Sequence, residues 1–360
     1  MSRLIALLAL ALSLPLGGCA GDCTVSGSPQ GQDLGFMAQY AANVCIGPFG
    51  GPGLTITLTT DDGGLGLGAD GEREDGVPLD AQDPFRVGAL SEVYTAALVS
   101  RLVLDGRLAF EEVVSDRLTW AVTEEPVTVR HLLTQQSGLR DVASIGAVDL
   151  ASPVGPRALV EEALSRPTRF SPGERHGASA TDALLLGLVV EEVLGVSFGE
   201  AMHETVLDPF GLGATFVEGY DTLPDSLAAG HDGGGRPRDV GVAPENAGGA
   251  WGIVANGTDL DRFLRLVFED AFLDERTTLE FTFPAGGEIG DDGFGFGVEI
   301  ATVDGDEVWR RDGQHPSGYG AGFVYVPEDG SLGVALTNAD PSQPGSIAEV
   351  GARFASRQAP

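Results

Sequence analysis

The segment "FRVGALSEVYTAAL", which runs from Phe85 to Leu98, decides the fold of this chain. Apolar residues recur in it at helical spacing, and the pattern continues through "VSRLVLDG" until it stops at Gly106. The segment therefore predicts a buried helix whose first turn carries the polar side chains of Ser91 and Glu92.

Strand patterns stand on both sides of this helix in the sequence. "GLTITLTT" (53–60) alternates and is rich in β-branched residues. After about residue 281 come "GFGFGVEIATV", "EVWRRD", "GAGFVYVPEDG" and "SLGVALTN", with the hairpin turn signal "PEDG" between the last two strands. We therefore predict an α/β (α+β) fold: one antiparallel sheet built from both chain ends and flanked by helices.

Helical patterns fill the middle of the chain and its C-terminus. They predict an inserted helical lobe at about 105–280 and a closing helix in "SIAEVGARFAS". Within the lobe, the helical segments are "TVRHLLTQQSG", "TDALLLGLVVEEVLG", "SFGEAMHETVLDPFG" and "TDLDRFLRLVFED".

Composition limits the partners of the protein. The chain has 360 residues, 42% of them hydrophobic, which is enough for one large domain at 51–360. Its formal net charge is -32, so its surface repels nucleic acid and anionic lipid headgroups. We therefore expect no nucleic-acid partner, and the oligomeric state stays open.

The chain contains no lysine, and all 21 of its basic residues are arginine. An arginine side chain stays protonated and does not act as an ordinary general base. This composition excludes every mechanism that needs a lysine base, a lysine Schiff base or a P-loop lysine.

The N-terminus has the pattern of an export signal. Arg3 precedes the apolar run "LIALLALALSLPL", which predicts a signal peptide at 1–18. The run ends in "LGGC", which resembles the lipobox of bacterial lipoproteins and predicts lipidation of Cys19 and a tether at 19–50. The alternative is an ordinary secretory signal. Ala20 follows the cysteine, and the resemblance then favours an outer-membrane lipoprotein anchored through Cys19.

Two further cysteines remain, Cys23 and Cys45. An even pair in an exported chain favours a disulfide, and two free thiols are the alternative. So few cysteines cannot build a thiolate metal cluster, and the five histidines lack HExxH spacing. We expect no metal and no cofactor.

Six segments in order resemble one family. They are "FRVGALSEVYTAAL", "VTVRHLLTQQSGL", "FSPGERHGASATDALLLGLVVEEVLG", "LDPFGL", "GIVANGTDLDRF" and "GFGFGVEI". They resemble the serine β-lactamase and penicillin-binding-protein-like hydrolases, in the branch of class C β-lactamases, D-amino-acid peptidases and esterases. The resemblance covers the chain from about residue 50 onward and implies the β-lactamase/transpeptidase-like fold.

The resemblance also implies where catalytic groups would stand. The family uses a serine nucleophile, a lysine three residues later, a Tyr-x-Asn pair, and a Lys or His on an edge strand. Each of these positions is replaced here. The replacements, in that order, are Ala89, Glu92, Ala178 and Ala180, and then Arg311 or Asp312, since the register of the edge strand stays open.

Few side chains are candidates to replace the missing groups. Ser91 lies two residues after Ala89, about 200° around a helix, and we expect it at the surface or in a helix-start hydrogen bond. Ser179 lies between the two alanines, where the family also has a serine that is not the nucleophile. His131 and His176 are more often structural than basic catalysts in such positions.

Four side chains are candidates to line the remaining cleft: Glu92, Ser179, Gln314 and His315. Glu92 stands where the family has a buried ammonium, so it needs a donor or a proton unless the helix rotates it toward solvent. Arg311 is the candidate donor.

Three hypotheses for the function follow. The first is an exported lipoprotein that keeps the hydrolase fold, has lost catalysis, and binds a cell-wall peptide or small molecule or supports an assembly at the cell envelope. The second is a divergent serine hydrolase that uses other residues. The third is a purely structural surface lipoprotein. The first hypothesis expects an open cleft lined with polar residues, whereas the third expects a cleft that apolar residues have closed.

Overall fold

The computed structural model describes residues 34–49, 52–61, 63–232, 235–238, 241–285, 287, 292–303 and 305–339. The predicted signal peptide, Cys19, Cys23 and the helix predicted from "SIAEVGARFAS" lie outside these residues. Within the described ranges, no helix is both long enough and apolar enough to cross a membrane.

The strands of the described residues form two antiparallel sheets. They are β1 Gly53–Thr59, β2 Leu65–Glu74, β3 Val77–Pro78, β4 Phe85–Arg86, β5 Thr215–Val217, β6 Ile253–Ala255, β7 Gly293–Phe294, β8 Glu299–Val303, β9 Asp306–His315, β10 Tyr319–Val326 and β11 Ser331–Thr337.

The large sheet has the strand order β3-β2-β1-β11-β10-β9-β8-β7. Its strands β1 and β11 come from opposite ends of the chain and are neighbours, with Leu54 opposite Thr337 and Thr59 opposite Leu332. The "PEDG" turn joins β10 to β11, which also pair antiparallel. The predicted sheet built from both chain ends is therefore confirmed.

The helices lie mostly between the two sets of strands in the sequence. They are α1 Leu34–Phe49, α2 Ser91–Leu104, α3 Val114–Arg117, α4 Val129–Leu133, α5 Pro156–Leu164, α6 Ala180–Leu194, α7 Phe198–Met202, α8 Asp208–Phe210, α9 Pro244–Trp251, α10 Gly257–Phe268 and α11 Glu275–Thr282.

Helix α2 is the centre of the main hydrophobic core, as its sequence pattern predicts. Every residue from Ser91 to Ser100 is buried, and the helix first becomes strongly exposed at Leu104. Its Tyr94 ring stacks on Phe263 of α10 with 3.6 Å between the ring centroids. The same core includes side chains of β10 and β11, so α2 lies between the large sheet and the helical lobe.

The predicted tether at 19–50 is wrong for residues 34–49, which form α1. This helix buries Met37, Ala38 and Cys45 against Leu54 and Ile56 of β1. These contacts form a cluster separate from the main core, so α1 covers the opposite face of the sheet from α2.

The glycines of β2 explain why the sequence pattern did not predict helix α1. A Cβ atom at Gly66 would lie 2.2 Å from the Leu34 carbonyl oxygen, and one at Gly68 would lie 2.3 Å from the Ala38 carbonyl carbon. The helix therefore packs backbone against backbone, and it needs small residues where a sequence pattern looks for large apolar ones.

Cys45 lies in α1 and is disulfide-bonded. It is also buried, with 3% of its surface exposed. Its partner is outside the described residues, where the remaining cysteines are Cys19 and Cys23.

A second, three-stranded sheet was not expected from the sequence. Its order is β4-β6-β5, and Phe85 of β4 pairs with Ala255 of β6. Because β4 leads directly into the turn before α2, this small sheet sets where α2 begins.

Candidate functional site

A single turn of 3-10 helix, Gly88–Leu90, joins β4 to α2 and carries Ala89. Gly88 has a φ of +59°, and a Cβ atom there would lie 2.5 Å from the backbone of Gln314. A Cβ atom at Gly313 would lie 2.9 Å from the Ala89 nitrogen. Strand β9 therefore passes so close to this turn that both positions need glycine. Ala89 itself is half-buried.

Glu92 and Arg311 form an ion pair across the site. Arg311 donates from Nη2 to Oε2 of Glu92, and the two side chains are 11% and 8% exposed. Gln135, which follows α4, donates from Nε2 to the same oxygen at 2.5 Å. The structure thus places Arg311, and not Asp312, against the position that the resemblance assigns to the family's lysine. Glu92 does not rotate toward solvent.

Burial controls the protonation of Glu92. Loss of hydration, which is the largest cause, and the charge of Asp141 together raise its pKa from 4.5 to about 7, although Arg311 and Gln135 oppose the shift. The carboxyl group therefore has a donor and a raised pKa at the same time. Near neutral pH it exchanges between the charged and the neutral form.

An aromatic ring closes the site on its outer side. The guanidinium of Arg311 lies 4.9 Å from the ring centroid of Phe294, on β7. The ring of His176 lies 4.3 Å from the same centroid at 34°. His176 Nε2 also lies 3.1 Å from Oε1 of Gln135. We call Glu92, Gln135, His176, Phe294 and Arg311 the interlobe clasp, because they connect the helical lobe to the large sheet.

Two spaces lie on opposite sides of the interlobe clasp. The inner one, beside Glu92 and Gln135, has a volume of about 10 Å³, close to the least that one water needs. The outer one is an open groove of about 720 Å³ that reaches His176, Phe294, Arg310, Arg311 and Asp312. Ala89 lines neither of them. Of these two spaces, only the outer groove has room for a ligand larger than a water molecule.

The first turn of α6 forms a buried polar cluster next to Glu92. Asp182 accepts a hydrogen bond of 2.6 Å from the Ser137 hydroxyl, and its other oxygen has no partner among the described residues. Burial raises its pKa well above the usual range, and the charges of Glu92 and Asp141 add to the shift. Asp141 accepts from the Ala180 nitrogen at 3.1 Å and also has a raised pKa because it is buried.

Ala178, Ser179 and Ala180 lead into this turn. Ala178 is exposed and Ala180 is half-buried. Ser179 is 2% exposed, and its hydroxyl has no hydrogen-bond partner in the described part of the chain. No base therefore holds this hydroxyl in a position to attack a substrate.

Ser91 does not lie at the surface, contrary to one of its two expected positions. It is fully buried, and its hydroxyl accepts a hydrogen bond of 3.0 Å from the Ile253 nitrogen of β6. The small sheet, which the sequence did not reveal, supplies this donor. Ser91 is thus used to attach the start of α2 to β6.

Ser179, Gln314 and His315 border neither of the two spaces described above, and Ala89 does not border them either, so the expectation that these residues line the cleft beside Ala89 stays a prediction. His315 is 1% exposed and accepts from the Ser317 nitrogen through Nδ1. Burial and the charge of Arg86 lower its pKa to about 3. Its Nε2 lies 4.0 Å from Glu218 Oε2.

Arg86 is the centre of this second buried cluster. It donates to Glu218 Oε1 at 2.6 Å and to the Tyr319 hydroxyl at 2.8 Å. The Tyr319 hydroxyl in turn donates to the Ala228 carbonyl at 2.8 Å. The cluster connects β4, β5 and β10 directly behind the turn that carries Ala89.

Sequence reasoning missed Gln135 and Phe294 as parts of the site. Gln135 has a positive φ of 53°, which is rare for a residue other than glycine and was visible only in the backbone geometry. The motif "GFGFGVEI" contains Phe294, but a motif does not show which ring faces Arg311. Among the described residues, no group of three or more His, Cys, Asp or Glu side chains is arranged to hold a metal ion.

The fold and this arrangement can be compared with known proteins. A family model described as "Beta-lactamase" matches residues 45–355. The chain belongs to the beta-lactamase family. The resemblance found in the six sequence segments is thereby confirmed.

Two curated relatives of this beta-lactamase-family chain are penicillin-binding proteins. "Penicillin-binding protein 4" of Amycolatopsis lactamdurans is 25% identical over 324 residues, which cover 80% of this chain and 81% of the relative. "Penicillin-binding protein 4*" of Bacillus subtilis (strain 168) is 27% identical over 269 residues, 66% of this chain and 57% of the relative.

Solved structures show the same fold. A D-stereospecific amidohydrolase from Streptomyces sp. superposes with a TM-score of 0.76 at 24% identity, covering 89% of this chain and 97% of that one. A D-amino acid amidase from Ochrobactrum anthropi SV3 in complex with D-phenylalanine gives 0.73 at 21% identity, with 85% and 93% covered. The predicted β-lactamase/transpeptidase-like architecture is confirmed.

Proposed function

We propose that this beta-lactamase-family protein is an exported lipoprotein that does not catalyse hydrolysis and that binds a ligand at the cell envelope through the groove. The ion pair between Glu92 and Arg311 carries the proposal, because it occupies the place where the family's chemistry needs a free base beside a nucleophile. Ala89 offers no nucleophilic atom, and the guanidinium of Arg311 does not accept a proton near neutral pH.

The loss of these groups together argues for inactivity. Removing the nucleophile or base of a serine hydrolase costs on the order of 10⁶ in turnover in the subtilisin example. No tyrosine stands at Ala178 to assist proton transfer. The scaffold around the lost groups is nevertheless kept, which fits a protein that still binds.

The names of the relatives suggest the ligand class. One is a "Teichoic acid D-alanine hydrolase" of Staphylococcus aureus, and a structural neighbour is a D-amino acid amidase. A cell-wall peptide or another small molecule with a D-amino acid would therefore suit the groove of this chain. The purely structural alternative predicts that the groove binds neither.

Activity assays test the proposal. Purified protein should not be labelled by a fluorescent penicillin or a fluorophosphonate, and it should hydrolyse nitrocefin and short-chain esters no faster than buffer does. An active penicillin-binding protein of the same fold is the positive control. Stoichiometric labelling that Ser179→Ala or Ser91→Ala abolishes would establish the divergent-hydrolase alternative instead.

A restoration variant tests the same reasoning from the other direction. Ala89→Ser with Glu92→Lys would put a hydroxyl and an ammonium one helical turn apart again. We expect at most slow acylation by the fluorescent penicillin, because the groups missing at Ala178 and Ala180 act together with them. Rapid turnover by this double variant would contradict the view that catalysis is lost at several positions.

The lipoprotein part of the proposal rests on Cys19. With Cys45 in a disulfide, only one of the two remaining cysteines is free for acylation. We expect mass spectrometry to find a Cys23–Cys45 bond and an acylated Cys19, and Cys19→Ala to release soluble protein that keeps the bond. A Cys19–Cys45 bond, or a wild-type protein in the soluble fraction, would refute lipidation.

A further inference from the structure

Arg311 stands at the boundary between the groove and the buried carboxylate. It lines the groove, its guanidinium lies over Phe294, and it donates to Glu92 through Nη2. Its Nε is buried and has no hydrogen-bond partner among the described residues. A ligand in the groove can therefore approach the guanidinium of Arg311. On its inner side, the same guanidinium is already paired with Glu92.

The charges around Glu92 come from several elements. Arg311 of β9 and the amide of Gln135 stabilise its carboxylate, whereas Asp141 and Asp182 raise the cost of its charge. The charged or titratable groups near Arg311 are His176, Glu299, Arg310 and Asp312. Arg310 and Glu299 are paired with each other at 2.7 Å.

We propose that the groove takes a ligand with a carboxylate or similar anionic group, that this anion replaces the carboxylate of Glu92 on Arg311, and that Glu92 takes up a proton as it is displaced. This inference rests on the proposed function and specifies the ligand class of that binding site. The Glu92 carboxylate is then a built-in competitor of the ligand.

The exchange balances the charges of the site. When Glu92 is charged it is the anionic partner of Arg311, and in the complex the ligand's anion takes that place. Glu92 stays buried beside Asp141 and Asp182, where an unpaired carboxylate is costly, so it binds one proton from solvent. Its pKa of about 7 means that this proton is available near neutral pH. The rings of Phe294 and His176, which are tilted by 34° to each other, offer an aromatic surface for the rest of the ligand.

Calorimetry with a matched pair of probes tests the inference. We would titrate the wild-type protein with 3-phenylpropanoate and with 3-phenylpropanamide, at pH 6 and pH 8, in buffers of different ionisation enthalpy. With Glu92 titrating near 7, the acid should bind about tenfold more tightly at pH 6 than at pH 8. About 0.9 proton should be taken up per ligand at pH 8 and about 0.1 at pH 6. The amide should bind weakly, without proton uptake.

Variants assign the proton and the anion to their residues. Glu92→Gln should remove the proton uptake and the pH dependence while the acid still binds. Arg311→Gln should abolish binding of the acid, and Arg166→Gln, an exposed arginine away from the groove, should change nothing. His176→Gln should leave the proton uptake at pH 8 unchanged, because partial desolvation and the charge of Arg311 lower the pKa of His176 below 6.5.

Three results would overturn the inference. They are equal binding of the acid and the amide, proton uptake that persists in Glu92→Gln, and no binding of the acid at pH 6. None of them depends on turnover. Hydrolysis of an ester or labelling by a penicillin would instead contradict the proposed function, so the two failures are distinguishable.

Discussion

Glu92→Gln should change how the stability of the protein depends on pH. The folded protein holds the pKa of Glu92 at about 7, against 4.5 for the unperturbed group, chiefly because the carboxyl is buried. A carboxyl whose pKa is raised in the folded state stabilises the fold most below its unfolded pKa. That stability is lost as the pH rises from about 4.5 to about 7. Glutamine has the same shape and no such transition.

The size of the effect follows from this pKa difference. Between pH 5 and pH 8, the raised pKa makes the wild-type free energy of unfolding fall by about 2.5 kcal/mol through Glu92 alone. The absolute stability of the variant also contains the loss of the ion pair with Arg311. The comparison therefore uses the change between the two pH values, in which contributions that do not depend on pH cancel.

Urea unfolding followed by tryptophan fluorescence measures this change at pH 5, 6, 7 and 8. The wild-type free energy of unfolding should fall more steeply with pH than that of Glu92→Gln, by up to about 2.5 kcal/mol over the whole range. Glu161→Gln, which alters an exposed carboxylate, is the control and should follow the wild type. Parallel curves for wild type and Glu92→Gln would show that the Glu92 carboxyl titrates alike in the folded and unfolded chains, and would refute the reasoning.

Three further predictions concern the framework of the site and the net charge of the chain. Arg86→Met should lower the free energy of unfolding by about 3–5 kcal/mol, because Glu218 then stays buried without a cation. Urea unfolding at pH 7 measures this loss, and a loss below about 1 kcal/mol would contradict the prediction. Gly88→Ala should lower the free energy of unfolding by roughly 2 kcal/mol more than Gly76→Ala in the same assay. Both glycines have a positive φ, but only Gly88 has backbone atoms within 3 Å of an added Cβ. Equal losses for the two variants would refute the close approach of β9. The thermal midpoint should rise between about 0.05 M and about 1 M NaCl, because salt screens the self-repulsion of a chain with a net charge of -32; a midpoint that falls would contradict this.

Much of the fold was predictable because its signals are local. The β-branched run at 53–60 and the hairpin around "PEDG" predict β1, β10 and β11, and strands at both chain ends predict one antiparallel sheet, in which the structure pairs β1 with β11. Helix α1 was not predictable in the same way. Its small residues are explained only by the glycines Gly66 and Gly68 that face it.

The site was predictable in its chemistry and not in its contacts. The sequence names Glu92 as a carboxylate in need of a partner and Arg311 as a candidate donor, and the structure brings the two together. It could not show that Gln135 and Phe294 join them, since these residues lie far apart in the chain. It left two positions open for Ser91, and the structure shows the helix-start hydrogen bond, with a donor from β6. It also could not show that His315 is enclosed beside the cluster around Arg86.

The sequence by itself determined which chemistry the chain is unable to perform. A chain without lysine has no lysine base in any fold, and an alanine at position 89 has no nucleophilic atom whatever surrounds it. These are properties of covalent structure. The tertiary structure alone decided which way Arg311 faces, because moving a strand by one residue turns every side chain to the other side of the sheet. It also decided the proton affinity of Glu92, because burial and neighbouring charges set a pKa and both depend on packing between distant segments.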